Sequence, residues 1–167
     1  MGEAKVGDEF ITHELDEAIA IQQCIVDAES QLATKHPLPS AKSAIKSSLE
    51  EDRRFLKELQ TLGKKHDATG EVEDVAGGLK GLMEQVLESA TSETADSEFY
   101  EAHAVLLNLK RKQMDSAGGM LAIAKETKDA EMRKAATEFQ KAQKASAETL
   151  SKELAGYAAK IATATPA

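Results

Sequence analysis

Apolar residues recur along this chain at alternating steps of four and three, the spacing that lines one face of a helix. Four long segments carry the pattern. The first runs from about Asp8 to Lys35 and stops at His36-Pro37-Leu38-Pro39, where two prolines end it. Ser40 then suits an N-cap, and the second segment continues to about Lys65, before the turn-forming Asp67-Ala68-Thr69-Gly70. A shorter piece, Glu71 to Ser89, carries Gly77, Gly78 and Gly81 and predicts a weaker helix within a connection. Thr91-Ser92-Glu93-Thr94 has the character of a helix entry, with Ser92 or Thr94 as the cap, and the third long segment follows to about Thr127. Lys128-Asp129 breaks the pattern, and the fourth segment extends to about Ala162. Two long helical hairpins joined by a connection of roughly 30 residues describe an all-α four-helix bundle with one long crossover. The reading is a single domain over residues 1–167, with 1–7 and 163–167 as flexible tails.

The four seams share an order. The first reads Ile11, Leu15, Ala18, Gln22, Ile25, Glu29, Leu32, and the second Ala41, Ile45, Ser48, Asp52, Phe55, Leu59, Leu62, with Glu51 at its border. The third gives Phe99, His103, Leu106, Lys110, Gln113, Ala117, Met120, Ala124. The fourth gives Met132, Ala136, Phe139, Gln143, Ser146, Leu150, Leu154, Tyr157, Ile161. Each is apolar at its ends and polar in the middle. An ion in a dry core costs several kcal/mol unless it is paired, so one polar level on four helices lets each group satisfy the others. Snorkelling to solvent is the simpler account for any single Lys or Gln, but not for four helices at once. The candidate site is therefore a central polar layer of Gln22, Glu29, Ser48, Glu51, Asp52, His103, Lys110, Gln113, Gln143 and Ser146.

Composition narrows the function. Only 4% of residues are aromatic, and a formal net charge of −8 argues against a general nucleic-acid binder, whose footprint would be basic. No apolar run is long enough to span a membrane. The single Cys24 excludes a disulfide framework and suits a reducing compartment, so the expected setting is the cytoplasm.

Asp27-Ala28-Glu29-Ser30-Gln31-Leu32 closes the first helix. Leu49-Glu50-Glu51-Asp52, Leu56-Lys57-Glu58-Leu59 and Leu62-Gly63 mark the second. With the order of elements, these motifs resemble the ferritin-like superfamily and, within it, the bacterial YciF-like stress-protein family, over roughly Phe10 to Leu154. The resemblance implies a ferritin-like bundle with a short extra helix between helices two and three, a homodimer, and a stress-adaptation setting. It also implies two metal ions held by carboxylates and His from all four helices. Carried onto this chain, the helix-one carboxylate is Glu29 and the helix-two carboxylate Glu51, but the expected His partner falls on Ser48. Two Glu positions of helix three fall on Lys110 and Gln113, and a Glu of helix four with its acidic or His partner falls on Gln143 and Ser146.

The departures lie where metal chemistry would be. Two divalent ions need several anionic oxygens or neutral imidazoles, and an ammonium beside them would repel both. The expectation is a metal-free, non-enzymatic protein acting through assembly or partner binding, with no cofactor. In it Lys110 fills part of the space of a metal. The alternative is a reduced iron or manganese site on Glu29, Glu51, Asp52 and His103, serving oxidation, peroxide scavenging or storage.

Other chemistries find less support. His13, 36, 66 and 103 are too few and scattered for a hemerythrin-like di-iron centre. His13-Glu14 lacks the second His of the zinc-protease motif. Cys24 falls off the seam with no basic neighbour to activate it. A phosphorelay module needs an exposed helical His, whereas His103, the one His on a seam, is expected to face inward.

Overall fold

The computed structural model describes residues 3–71, 75–89 and 95–164. Its five helices are α1 (Glu3–Lys35), α2 (Pro39–Lys65), α3 (Val75–Ser89), α4 (Ala95–Thr127) and α5 (Ala130–Ala162). The fold is all-helical, with no strand among the described residues. Each 33-residue helix is about 50 Å long at the α-helical rise. Residues 3–7, expected as part of a tail, form the first turns of α1. Ser92 and Thr94, the expected caps of the third long helix, lie outside the described residues.

The four long helices form a ring in which α1 packs on α2 and α4, and α5 on α2 and α4. Side-chain bonds fix their directions. Thr12 near the start of α1 donates to the carbonyl of His66 past the end of α2 at 2.7 Å, so these helices are antiparallel. Ser40 at the start of α2 donates to Glu153 late in α5 at 2.7 Å. Tyr157 of α5 donates to Asp96 at the start of α4 at 2.7 Å. Thus α2 and α4 begin at the same end, and the chain between them must return along the whole length. That connection carries α3, which lies on α1 and α4. Met83 and Leu87 of α3 are buried there.

Helix ends follow local chemistry, with one change from expectation. Pro39, not Ser40, opens α2: its preset φ suits a first helical position, and Leu38 occupies the cap. The Leu38 N–H is satisfied from outside the helix, by His36 Nδ1 at 3.0 Å. At the far end, Asp16 Oδ1 accepts from the N–H groups of Thr69 and Gly70 at 2.7 and 2.9 Å, pinning the start of the connection to α1. Gly70 has φ +86°, and a Cβ there would meet Ile19 Cγ2 at 2.6 Å, so both backbone and space require glycine. Asp129 caps α5 by accepting from the Met132 N–H at 3.0 Å.

The apolar core falls into two clusters. One holds Ile25, Leu32, Ile45, Phe99, Leu106 and Tyr157 toward the α1–α2 corner, and includes Cys24. Cys24 was expected off the seam, but it is only 5% exposed, in the same cluster as Met83 and Leu87 of α3. The other cluster holds Leu15, Phe55, Leu59, Met120 and Phe139.

Candidate functional site

Between these clusters lies a band of polar side chains with almost no solvent contact: Gln22, Glu29, Asp52, Lys110, Gln113 and Gln143. One residue organises it. Lys110 of α4 donates to Asp52 Oδ2 of α2 at 2.6 Å and stands 3.3 Å from Glu29 Oε2 of α1. Asp52 Oδ1 accepts from the amide of Gln22 at 3.0 Å and from that of Gln143 of α5. Gln22 also reaches the Asp52 carbonyl at 2.9 Å. Gln113 donates to Gln22 Oε1 at 3.1 Å and to the Ala18 carbonyl at 2.9 Å. All four long helices therefore contribute to one network centred on the Asp52 carboxylate.

The electrostatics are uneven. Burial alone would raise Asp52, but a hydrogen bond with Glu29, the charge of Lys110 and the donated bonds hold it below the ordinary carboxylate range. Glu29 goes the other way. Burial pushes it well above its usual value against the pull of Lys110, and the shared bond and negative charge of Asp52 add to the rise. Neither Glu29 oxygen accepts a hydrogen bond, so little besides Lys110 favours its ionised form. Lys110 therefore pairs most closely with Asp52, and Glu29 is the carboxyl group whose charged form its surroundings disfavour. The Oε1 atoms of Gln113 and Gln143 are also buried without a donor.

The remaining layer candidates lie elsewhere. Glu51 is on the outer face of α2, its side chain 48% exposed, 3.9 Å from Arg54. The seam step passes through Asp52, one residue on, and a one-residue shift turns a helical side chain by about 100°. Asp52, not Glu51, is the inward carboxylate of α2. Ser48 and Ser146 are half-buried and bond each other at 2.7 Å across α2 and α5, beside the core rather than within the network. His103 is fully buried, but its two ring nitrogens contact His36 and the Leu150 carbonyl, so it stands outside the network. Glu29, Glu51, Asp52 and His103 thus do not converge as one ligand set.

Nor does the layer fit the two metal ions that a ferritin-like bundle would carry. It offers two carboxyl groups, one pushed well upward by burial, and sets an ammonium directly against the other. Among the described residues, the one group of three metal-type donors close enough to share an ion is His13, Glu14 and Glu17, on the outside of α1. There Glu17 already pairs with Lys112 at 2.6 Å.

A second buried polar group went unrecognised in the sequence. His36, in the corner between α1 and α2, is 2% exposed. Its Nε2 lies 2.9 Å from His103 Nδ1, and His103 Nε2 lies 2.9 Å from the Leu150 carbonyl. The Tyr157 ring lies tilted 5.0 Å from the His36 ring, its hydroxyl donates to Asp96, and burial together with that carboxylate raises its phenol. Helical stepping could not find His36 because it lies just past the last turn of α1. The signal that existed was a His immediately before two prolines, where the chain must reverse.

No protein-family model matches this chain, and no curated protein matches it either. Along the described residues, no helix is long and apolar enough to cross a membrane.

Proposed function

We propose that the chain is a ferritin-like four-helix bundle in which a lysine ammonium stands where that fold holds metal, and that it works through assembly or partner binding rather than catalysis. The observation that carries this reading is Lys110 buried against Asp52 at 2.6 Å and Glu29 at 3.3 Å. The antiparallel ring with a full-length crossover supports the fold assignment. So does a polar level to which all four long helices contribute. The motifs around Glu29 and Asp52 suggest a YciF-like homodimer acting in bacterial stress adaptation.

A cation at this level neutralises the carboxylates without an exchangeable ion, which makes the layer a fixed structural element. Function then falls to the outer surface. Metal analysis of protein purified without chelators, with light scattering for its assembly state, tests the reading. The expected result is a stable oligomer carrying no stoichiometric iron or manganese. Near-stoichiometric metal would favour the reduced di-metal alternative instead. Lys110→Glu sharpens the test: it should destabilise the metal-free fold and create affinity for manganese. Unchanged stability would mean that Lys110 does not hold the layer.

A further inference from the structure

Besides the Ser40–Glu153 bond, the corner between α1 and α2 is tied to the rest of the molecule by a directional chain of hydrogen bonds. The Leu38 N–H can only donate, so His36 Nδ1 accepts, at 3.0 Å. That fixes the His36 proton on Nε2, which faces His103 Nδ1 at 2.9 Å. His103 must then accept on Nδ1 and carry its own proton on Nε2, which donates to the Leu150 carbonyl at 2.9 Å. Every ring nitrogen is committed, and only two neutral imidazoles satisfy the chain. The links run from the corner to α4 through His103, and from α4 to α5 through Leu150.

One added proton has nowhere to go. On His103 Nδ1 it confronts the His36 N–H; on His36 Nδ1 it confronts the Leu38 N–H. The surroundings offer little compensation. From α5, Glu153 favours a charged His103, but it is also engaged by Ser40 of α2. From α4, Asp96 is bonded to Tyr157, and Phe99 presents an apolar ring 6.5 Å from His36. From α3, Met83 and Leu87 add apolar surface to the same cluster. On α1 itself the neighbouring Lys35 is exposed and cationic.

We propose that the His36–His103 pair is an acid-released latch, closed while both rings are neutral and opened by protonation, freeing the α1–α2 corner from α4 and α5. The protonation range agrees with the geometry. Burial, then the neighbouring ring, lowers His36 from 6.5 to about 4, and burial also lowers His103. Because the released state takes up protons at the higher value, opening grows as pH falls from 6.5 toward about 4, by about tenfold per pH unit for one ring.

Two measurements on the intact chain decide it. Long-range proton–nitrogen NMR at pH 7 should show both rings neutral with the proton on Nε2. Amide exchange between pH 6.5 and 4.5, corrected for intrinsic rates, should show opening at residues 33–42 rising with acid while amides near Thr12 and His66 do not follow. His36→Asn, whose side chain can still accept from the Leu38 N–H but cannot titrate, should flatten the dependence at the corner. Three outcomes would overturn the latch: a charged ring at pH 7, equal acid response at both ends of the wild-type molecule, or an unchanged slope in a folded His36→Asn.

Discussion

The polar layer in the middle of the molecule and the histidine pair at its α1–α2 end are both buried, yet they are satisfied in different ways. At the corner, each ring nitrogen has one partner whose role is fixed by the next. In the layer, acceptors outnumber donors: both oxygens of Glu29 and the Oε1 atoms of Gln113 and Gln143 accept nothing. The corner excludes an extra proton because no acceptor is spare. The layer favours one because Glu29 has few donors to support its charged form. Buried groups are thus tuned less by their own chemistry than by the balance of donors and acceptors around them.

The two regions therefore respond to pH with opposite signs. Glu29 is raised in the folded state, so its contribution is complete at low pH and is lost as pH rises through its folded value. His36 is lowered, so its contribution is complete above 6.5 and is lost as pH falls toward about 4.

The sharpest way to break the contrast is at the charge that organises the layer. Asp52→Asn leaves Lys110 buried beside no carboxylate except Glu29, and should cost about 3–5 kcal/mol in denaturant unfolding. Adding Lys110→Met should recover much of that loss; a double variant no better than the single would mean that the pair is not coupled. Next comes His36→Ala, which leaves His103 Nδ1 and the Leu38 N–H unpaired and should cost about 1–3 kcal/mol at pH 7. Its penalty should shrink at pH 4.5, where the wild-type latch is already weakened. Glu29→Gln removes the carboxyl group that burial pushes upward while nearly keeping its shape, so the variant should respond less to pH than the wild type. The loss of stability with rising pH that Glu29 contributes should disappear, measured as unfolding midpoint against pH. The smallest effect belongs to Ser48→Ala, about 0.5–1 kcal/mol, because a half-buried hydroxyl pair can turn to water when one member is lost.

Legibility divides along the same line as the packing. Regular stepping reaches Gln22, Glu29, Asp52, Lys110, Gln113 and Gln143, because a helix repeats its orientation every few residues and the long α1, α2, α4 and α5 accumulate little error. It places Asp52 on the stripe and Glu51 at its border, and only the partner helices show that Glu51 turns outward. Nor does it reach His36, whose burial comes from the reversal of the chain after α1. Cys24, off the seam, is buried in the same cluster as Met83 and Leu87 of α3, an element outside the ring that the seams describe.

By itself the sequence determined the helices, their breaks and the faces they turn inward, since these follow from local propensity and periodicity. It also determined that an ammonium and carboxylates share one level. Tertiary structure alone decided which carboxylate Lys110 meets most closely, which one burial pushes upward, and that a corner histidine faces another 67 residues away. Those outcomes depend on distances and desolvation between helices, and neither quantity exists until the chain has folded.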